Sequence, residues 1–377
     1  MITLSDYGQK CKGKTIDINI KIGKIKFICV KSVRNRGFYT DMGGKNMRKK
    51  MTAIILCMIV CVMPLAGCKK HVGTPEDNAE STEEEKTEET EQYTFGYSCM
   101  TVSENPYFVV LEEAIREEVG KRGGQMITRD PKGDDQLQLE QIYEMIEEGI
   151  DAVFLSPVNW ETIQPGLDAL KEADVKIINI DTEVKDLEMV DAYVGTDNKQ
   201  AGYLCGEDVV QRFPDGGKVV ILECPTTNSI NERITGFEEA IANEGFEIVA
   251  RENVKGDQEA SRAAAERLLA AYPDVDVIMC GNDQSALGAK MAAEKNSAYS
   301  GVVIYGVDGS PDLKKELKKA DHLVAGTAAQ RPITLGKDAV KAAFQVLDGE
   351  KIKEPIYEET FLITEENVDM YGADGWQ

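Results

Sequence analysis

From residue 93 onward, short apolar runs alternate with longer segments in which apolar residues recur every three to four positions. The first pattern predicts strands and the second predicts helices. Because the apolar runs are continuous, each strand is expected to be buried on both faces, as in parallel sheets covered by helices. We therefore predict an α/β protein. About ten strands fit two doubly wound lobes with sheets of roughly five better than one very wide sheet.

The predicted elements follow one another in βαβα order. Strands are predicted at 93–100, 125–130, 152–157, 176–181, 192–197, 218–224, 247–252, 276–281, 302–307 and 323–328. Helices are predicted at 107–122, 136–149, 161–173, 198–213, 231–244, 258–271, 284–295 and 311–319. This order places the polar clusters described next at the carboxyl ends of strands.

Several strands end in polar clusters, and the carboxyl ends of parallel strands are where open α/β sheets bind ligands. Two sheets facing each other would bring these clusters into one cleft. Polar loops are needed in any α/β protein, which accounts for the serines, glycines and prolines among them. It accounts less well for Asp181, Arg233, Asn282 and Asp308.

The candidate binding residues combine carboxylates, carboxamides, a guanidinium and aromatic rings. Carboxylates accept hydrogen bonds from hydroxyls, arginine donates in a fixed fork, and rings cover an apolar C–H face. A polyhydroxylated ring offers all of these surfaces. A glycosidase pair formed by two of the carboxylates, Asp181 and Asp308, is a less favoured alternative. The candidates are Asn105, Tyr107, Phe108, Trp160, Asp181, Asn198, Arg233, Asn282, Asp308 and Gln330.

Composition excludes several other classes of site. The net charge of −23 argues against nucleic acid as a partner. His71 and His322 are the two histidines and are far apart, so neither a His-based metal site nor a Ser-His-Asp triad is expected. The nine cysteines contain no CxxC pair, and no phosphate-binding glycine loop follows a strand. We predict no cofactor and no metal. Buried free thiols are the expected state after residue 93, with a Cys205–Cys224 disulfide as the alternative.

The segment 47–67 has the composition of an export signal. Three basic residues at 48–50 precede a 13-residue apolar stretch from Met51 to Met63, which is too short to span a bilayer as a helix. It ends in Leu-Ala-Gly before Cys68, which resembles the lipobox of bacterial lipoproteins and implies lipidation of Cys68. An uncleaved signal anchor is the alternative. Residues 1–46 precede this signal, so we interpret them as a misassigned start, or else as a small extension.

Residues 68–92 are rich in Glu and Thr and almost lack large apolar residues. Such a segment cannot form a core and is predicted to be a solvated, disordered tether. Signal, lipid, tether and folded body together predict an extracytoplasmic protein that is attached to the membrane only through its lipid anchor.

Six motifs resemble those of the ribose/galactose-type periplasmic sugar-binding proteins of ABC transporters. The resemblance covers essentially all of 93–365, and the motifs agree in order and spacing. It implies the type 1 periplasmic binding fold: two Rossmann-like lobes joined by three crossing strands, with the ligand between them. The motifs are ENPYF at 104–108, IINIDTE at 177–183, VGTDNKQAG at 194–202, NERITGF at 231–237, GNDQSALG at 281–288 and GVDGSPD at 306–312.

On the N-lobe side, the resemblance implies that Asn105, Tyr107 and Phe108 bind and stack on the sugar. It also implies that Asp181 accepts hydrogen bonds from sugar hydroxyls. The family's arginine after this acid is replaced here by Thr182.

On the C-lobe side, the resemblance implies that Arg233, Asn282 and Asp308 contact the sugar and that Gln330 is the hinge glutamine. A stacking aromatic expected near 255–257 is replaced by Lys-Gly-Asp. Trp160 is a candidate for the missing ring, and packing within its own loop is the alternative. The calcium loop of some family members is absent.

The family pattern also implies the lobe boundaries: an N-lobe of 93–196 and 331–358, and a C-lobe of 197–330 and 359–377. The function it implies is capture of a monosaccharide or small polyol by hinge closure, without chemistry, by a monomer that delivers it to an ABC transporter permease. The alternative is a receptor that presents a sugar or furanone-type signal to a histidine kinase or chemoreceptor.

Overall fold

The computed structural model describes residues 92–321 and 323–377, all of which belong to one compact unit. The predictions for 1–46, for the signal at 47–67 and for lipidation of Cys68 lie outside these residues, as does the tether apart from Gln92. No helix among the described residues is both long and apolar enough to cross a membrane.

The described residues form two sheets of six strands each. The first has the order β11-β5-β4-β3-β1-β2 and is parallel throughout. The second has the order β12-β10-β9-β8-β6-β7 and is parallel except for β12, which runs antiparallel to β10. The strands are β1 (Thr94–Ser98), β2 (Gln125–Arg129), β3 (Ala152–Leu155), β4 (Lys176–Ile180), β5 (Ala192–Thr196), β6 (Gly217–Glu223), β7 (Phe246–Asn253), β8 (Val277–Cys280), β9 (Val303–Asp308), β10 (Val324–Ala329), β11 (Ile356–Glu358) and β12 (Phe361–Thr364).

Helices cover both faces of each sheet and agree closely with the helices predicted from periodicity. Their bounds are α1 (Pro106–Lys121), α2 (Asp135–Glu148), α3 (Gln164–Glu172), α4 (Asn198–Arg212), α5 (Asn228–Ile241), α6 (Gln258–Ala271), α7 (Asp283–Ala293), α8 (Pro311–Leu317), α9 (Pro332–Leu347) and α10 (Val368–Tyr371). Two short 3-10 turns lie at Leu187–Met189 and Ser297–Tyr299.

Burial of the strands explains their continuous apolar sequences. In β3, Ala152 and Phe154 face one apolar cluster, whereas Val153 and Leu155 face another on the opposite side of the sheet. All four residues are buried. Because successive side chains of a strand point to opposite faces, a strand covered on both faces must be apolar at every position. The predicted fold class, two doubly wound α/β lobes, is confirmed.

Two strands, β11 and β12, were not among the predicted ones. They have three and four residues and lie at the edges of the two sheets. Segments this short carry too little periodicity to be recognised. Their positions matter, because the chain crosses from the first sheet to the second between them.

The chain passes between the sheets three times, through connections that we call the first, second and third crossings. They lie between β5 and α4, between β10 and α9, and between β11 and β12. Helix α9 returns to the first sheet and packs closely on α1: a Cβ placed on Gly336 would lie 3.0 Å from that of Ala114. We call the part built on the first sheet the N-lobe and the part built on the second the C-lobe; the exact lobe boundaries stay a prediction.

Candidate functional site

A cavity of about 440 Å³ lies where the carboxyl ends of the two sheets meet. All eight residues predicted to bind a ligand lie in its wall: four come from the N-lobe, three from the C-lobe, and Gln330 from the second crossing. Because these residues are spread over more than 220 positions of the chain, only the facing arrangement of the two sheets brings them together. They are Asn105, Tyr107, Phe108, Asp181, Arg233, Asn282, Asp308 and Gln330.

The start of helix α1 supplies the aromatic part of the N-lobe wall. Asn105 caps this helix, since its Oδ1 accepts a hydrogen bond of 3.0 Å from the backbone N–H of Tyr107. The rings of Tyr107 and Phe108 pack edge to face at 5.4 Å between centroids, and both side chains are buried. The cap therefore fixes where both rings stand in the cavity wall.

Asp181 follows strand β4 in a left-handed backbone conformation with φ of 60°, and only 3% of its surface is exposed. Its Oδ2 accepts hydrogen bonds from the hydroxyls of Thr182 at 3.1 Å and Ser156 at 3.4 Å. Burial raises the pKa of the Asp181 carboxyl, and the Arg233 guanidinium opposes this rise. The site thus holds a carboxylate on the N-lobe side with its own lobe's hydroxyls as partners.

Arg233 is the buried cation of the C-lobe wall. Its Nε donates to Asn198 Oδ1 at 2.8 Å, and its Nη1 donates to the Gly281 carbonyl at 2.8 Å and to Asp308 Oδ1 at 3.4 Å. The remaining terminal nitrogen, Nη2, takes part in none of these bonds. A guanidinium oriented in this way has a donor left for a ligand.

Asp308 ends strand β9 and is the second buried carboxylate. Its Oδ1 also accepts a hydrogen bond of 2.8 Å from Gln330 Nε2, and Gln330 Oε1 accepts one of 3.4 Å from the Tyr107 hydroxyl. Gln330 lies at the second crossing and so links a ring of the N-lobe to an acid of the C-lobe. The pKa of Asp308 is raised to about 7, mainly by burial; the Arg233 guanidinium opposes this rise and the nearby Asp283 contributes to it.

Asn282 has both ends of its carboxamide engaged. Its Oδ1 accepts a hydrogen bond from the Ser285 N–H and caps α7, while its Nδ2 donates to the Gly256 carbonyl. Each atom retains one further hydrogen-bonding position, because a carboxamide oxygen accepts two bonds and its nitrogen donates two. Asn282 can therefore contact a ligand without giving up the cap.

Backbone strain is concentrated in this cavity. Six described residues other than glycine have positive φ, and four of them line the cavity wall: Lys132, Asp181, Lys255 and Asp308. Such conformations cost about 1–3 kcal/mol each and gather at functional sites. The strain comes in matched pairs, one acid and one lysine from each lobe.

The two lysines, which the sequence analysis did not single out, lie in equivalent turns of the two lobes. The N–H of Lys132 donates to Asp130 Oδ1, and the N–H of Lys255 donates to Asn253 Oδ1. In both turns a left-handed glycine follows the lysine, and then comes an aspartate that caps the next helix. The repeated Lys-Gly-Asp triplet after β2 and β7 was the signal that could have revealed them.

Two other candidates lie outside the cavity wall. Trp160, considered above as a ring for the ligand, donates its backbone N–H to the Thr226 carbonyl, and its ring lies under Lys185 at 5.7 Å. Asn198 lies behind Arg233 rather than in the wall. Thr182, at the position where the resemblance implied an arginine, shares a 2.8 Å hydrogen bond with Ser229 of the C-lobe.

The four cysteines of the described part of the chain are buried and unpaired. The alternative of a Cys205–Cys224 disulfide is therefore wrong. The Cys205 thiol donates to the Gly306 carbonyl, and Cys224 contacts the hydroxyls of Thr226 and Thr227. Within the described ranges, no group of three or more His, Cys, Asp or Glu side chains is arranged to hold a metal ion.

Comparison with known proteins assigns this chain to a family. The model of the periplasmic binding protein domain matches residues 96–351. The chain belongs to the periplasmic binding protein family. The ribose import binding protein of Bacillus subtilis is 30% identical over 266 residues, which are 70% of this chain and 85% of that protein. That of Escherichia coli is 28% identical over 250 residues, or 66% and 83% of the two chains.

Solved structures agree with this assignment. An ABC transporter solute binding protein from Mycobacterium smegmatis with bound glycerol is 28% identical, with a TM-score of 0.70 over 74% of this chain and 96% of that one. A solute binding protein from Bacillus halodurans with bound myo-inositol is 24% identical, with a TM-score of 0.69 over 74% of this chain and 97% of that one. At this identity the match supports the fold alone. The relatives are thus binding components of import systems, and the chain is a ribose/galactose-type member of the family.

Proposed function

We propose that this protein captures a monosaccharide or a similar small polyol between its two lobes and delivers it to an ABC transporter permease. The observation that carries the proposal is the cavity itself. Both lobes contribute polar groups to one space of about 440 Å³, namely carboxylates, a guanidinium and carboxamides, and the N-lobe adds two aromatic rings. The names of the relatives support it, since they describe import binding proteins for ribose and fructose and binding proteins for allose.

The proposed contacts follow from the chemistry of each side chain. Asp181 and Asp308 accept hydrogen bonds from ligand hydroxyls, and Arg233 donates to a ring or hydroxyl oxygen. Tyr107 and Phe108 cover an apolar C–H face of the ring. Because these groups are buried and already oriented by their neighbours, little ordering entropy is lost when the ligand binds.

The proposed mechanism is hinge closure by a monomer. Hinge closure around a ligand is the motion described for periplasmic binding proteins, and the three crossings are the segments that would absorb it here. A ligand that contacts both lobes binds the closed form more tightly and so shifts the population toward it. The closed form then docks on the permease, so no chemical step and no cofactor is required.

We also propose that the protein is extracytoplasmic and anchored by lipid on Cys68. The basic and apolar segments before that cysteine support the proposal. Cys68→Ala is expected to release the protein from the membrane fraction or leave it unprocessed, whereas Cys61→Ala, a change inside the signal, is expected to do neither. Normal processing and membrane retention of Cys68→Ala would exclude lipid anchoring at this residue.

The capture proposal is tested by a thermal-shift screen with ribose, allose, fructose, galactose, myo-inositol and glycerol, followed by calorimetric titration. At least one of these compounds should raise the melting temperature in a saturable way, because a ligand that binds only the folded state stabilises it. Recovery of the unchanged compound after incubation distinguishes capture from turnover. No stabilisation by any pentose, hexose or polyol, or conversion of the bound compound, would reject the proposal.

A further inference from the structure

Asn198 occupies a particular place between the hinge and the cavity. It is the first residue of helix α4, directly after the first crossing, and 7% of its surface is exposed. Its Oδ1 accepts a hydrogen bond of 2.8 Å from Arg233 Nε, and its Nδ2 donates one of 3.1 Å to the carbonyl of Thr196, the last residue of β5. One carboxamide therefore connects the end of the N-lobe sheet to the buried cation of the C-lobe.

Asn198 also lines a second cavity of about 300 Å³, which is formed by residues of both lobes. Arg233 lines only the first of the two cavities. Because Asn198 borders this cavity and accepts from Arg233 Nε, we expect that its truncation would let water reach the Nε–H of Arg233.

The backbone of Arg233 is already fixed by helix packing. A Cβ on Gly202 of α4 would lie 1.7 Å from the Arg233 carbonyl oxygen, and a Cβ on Gly236 of α5 would lie 1.9 Å from that of Lys199. The two helices therefore touch backbone to backbone, which only glycine permits. Packing fixes the Arg233 backbone, but its side chain still has several rotatable bonds, and hydrogen bonds must orient it.

Two of the three crossings contribute a carboxamide to the same ion pair. Asn198, directly after the first crossing, accepts from Arg233, while Gln330 of the second crossing donates to Asp308, and the two charged groups meet at 3.4 Å. The first and third crossings also lie side by side, since Thr196 pairs with Glu358 in the parallel sheet. Each charged group of the Arg233–Asp308 pair is therefore hydrogen-bonded to a carboxamide at or next to a crossing.

We propose that Asn198 is a positioning residue that holds the Arg233 guanidinium in its ligand-binding orientation and links it to the first crossing. The part of this proposal that concerns ligand affinity rests on the proposed function; the part that concerns Arg233 does not. The essential group is the acceptor Oδ1. Asn198→Asp keeps that acceptor and loses the donor to Thr196, whereas Asn198→Ala loses both.

The orientation of Arg233 is tested without any ligand, by the hydrogen-exchange rate of its Nε–H in nuclear magnetic resonance spectra, with Arg233→Lys to assign the signal. Asn198→Ala should speed exchange about tenfold or more, since a buried charged hydrogen bond is lost and water gains access. Asn198→Asp should stay near the wild-type rate. The matched control is Asn231→Ala. It removes a carboxamide from α5, the helix of Arg233, and that carboxamide donates to the Pro225 carbonyl rather than bonding to Arg233. Equal exchange rates in Asn198→Ala and Asn231→Ala would overturn the proposal.

The link to binding is tested by a double-mutant cycle with the best ligand from the screen. Asn198→Ala should weaken affinity about tenfold in the wild type but less than about twofold in Arg233→Lys, because the two residues act as one unit. Equal losses in both backgrounds would show that Asn198 acts only on the stability of the lobe. If no sugar or polyol binds the wild type, the proposed function fails, while the exchange experiment still decides the positioning role.

Discussion

The two walls of the cavity share a plan but differ in what holds their acids. Each lobe presents one buried aspartate in a positive-φ conformation and one Lys-Gly-Asp turn. Asp181 of the N-lobe accepts only from hydroxyls of its own lobe. Asp308 of the C-lobe is paired with a guanidinium and a hinge carboxamide. The aromatic rings in the described cavity wall, by contrast, come from the N-lobe side, and Lys255 and Gly256 line the wall in the region where the resemblance implied a C-lobe ring.

This difference assigns distinct tasks to the walls. The C-lobe wall is a connected polar network, so removing one member leaves a buried partner unsatisfied. The N-lobe wall consists of two aromatic rings and one acid, Asp181, whose hydrogen bonds come from hydroxyls. Removing one of these side chains therefore deletes a local contact. Substitutions in the C-lobe network are therefore expected to cost more affinity than those in the N-lobe wall.

The largest expected effect is that of Arg233→Ala. Truncating one partner of a buried, hydrogen-bonded charge pair costs about 2–5 kcal/mol, and at this site the Asp308 carboxylate is left without its cation. Affinity measured by calorimetric titration should fall at least about thirtyfold. The control is Arg212→Ala, which removes an arginine paired with Asp208 at the partly exposed end of α4. A comparable loss in both variants would contradict the assignment of Arg233.

The acids test the comparison directly. Asp308→Asn should weaken binding about tenfold or more, because it leaves Arg233 unpaired, whereas Asp181→Asn should cost several-fold less. Asp312→Asn, an exposed change close to Asp308, should leave affinity within about twofold of the wild type. If Asp181→Asn were the more damaging change, the roles given to the two walls would have to be exchanged.

The rings give a smaller effect. Phe108→Leu keeps an apolar contact but loses the flat face, so we expect affinity to fall about three- to tenfold, in line with about 0.5–1.5 kcal/mol for a ring contact. Tyr107→Phe removes only the hydroxyl that bonds to Gln330 at 3.4 Å and should stay within about threefold. Titration calorimetry measures both. A larger loss for Tyr107→Phe than for Phe108→Leu would show that the link to the hinge matters more than stacking.

The last prediction concerns the stability of the ligand-free protein rather than affinity, through its pH dependence. The pKa of Asp308 is raised by burial from 3.8 to about 7, so between these values the folded state binds more protons than the unfolded state. This group therefore makes the ligand-free protein less stable as pH rises from about 4 to 7. Asp308→Asn should flatten that slope in melting curves across this range. An unchanged slope in Asp308→Asn would mean that Asp308 is not the group responsible.

The apolar pattern predicted the two-lobed fold and a wider set of candidate residues at the strand ends, and the resemblance to the sugar-binding family narrowed that set to the eight wall residues. Continuous apolar strands leave little choice but buried parallel sheets, and residues at their carboxyl ends must then converge. The two short strands β11 and β12 escaped prediction because edge strands of three and four residues have no measurable period. Whether the eight residues bind a ligand stays a prediction.

Three features of the site were not predicted from the sequence. Trp160 was considered for the ligand, but its loop turns toward Thr226 and Lys185. Lys132 and Lys255 share a Lys-Gly-Asp triplet, but only the copy at 255–257 was considered, as the replacement of a ring. Asn198 was counted among possible ligand contacts, because no sequence pattern shows which side of Arg233 it occupies.

The central claim is that a ligand joins both walls and closes the lobes. It is tested most directly by the distance between spin labels on Glu140→Cys of α2 and Ala270→Cys of α6, both exposed sites outside the cavity wall. In the chain from Gln92 to Gln377 the native cysteines are buried, which favours labelling at the introduced sites. We predict that the bound sugar shortens and narrows the distance distribution, and that the same sugar concentration has far less effect on Arg233→Ala. An unchanged distribution at saturating sugar would contradict capture by hinge closure.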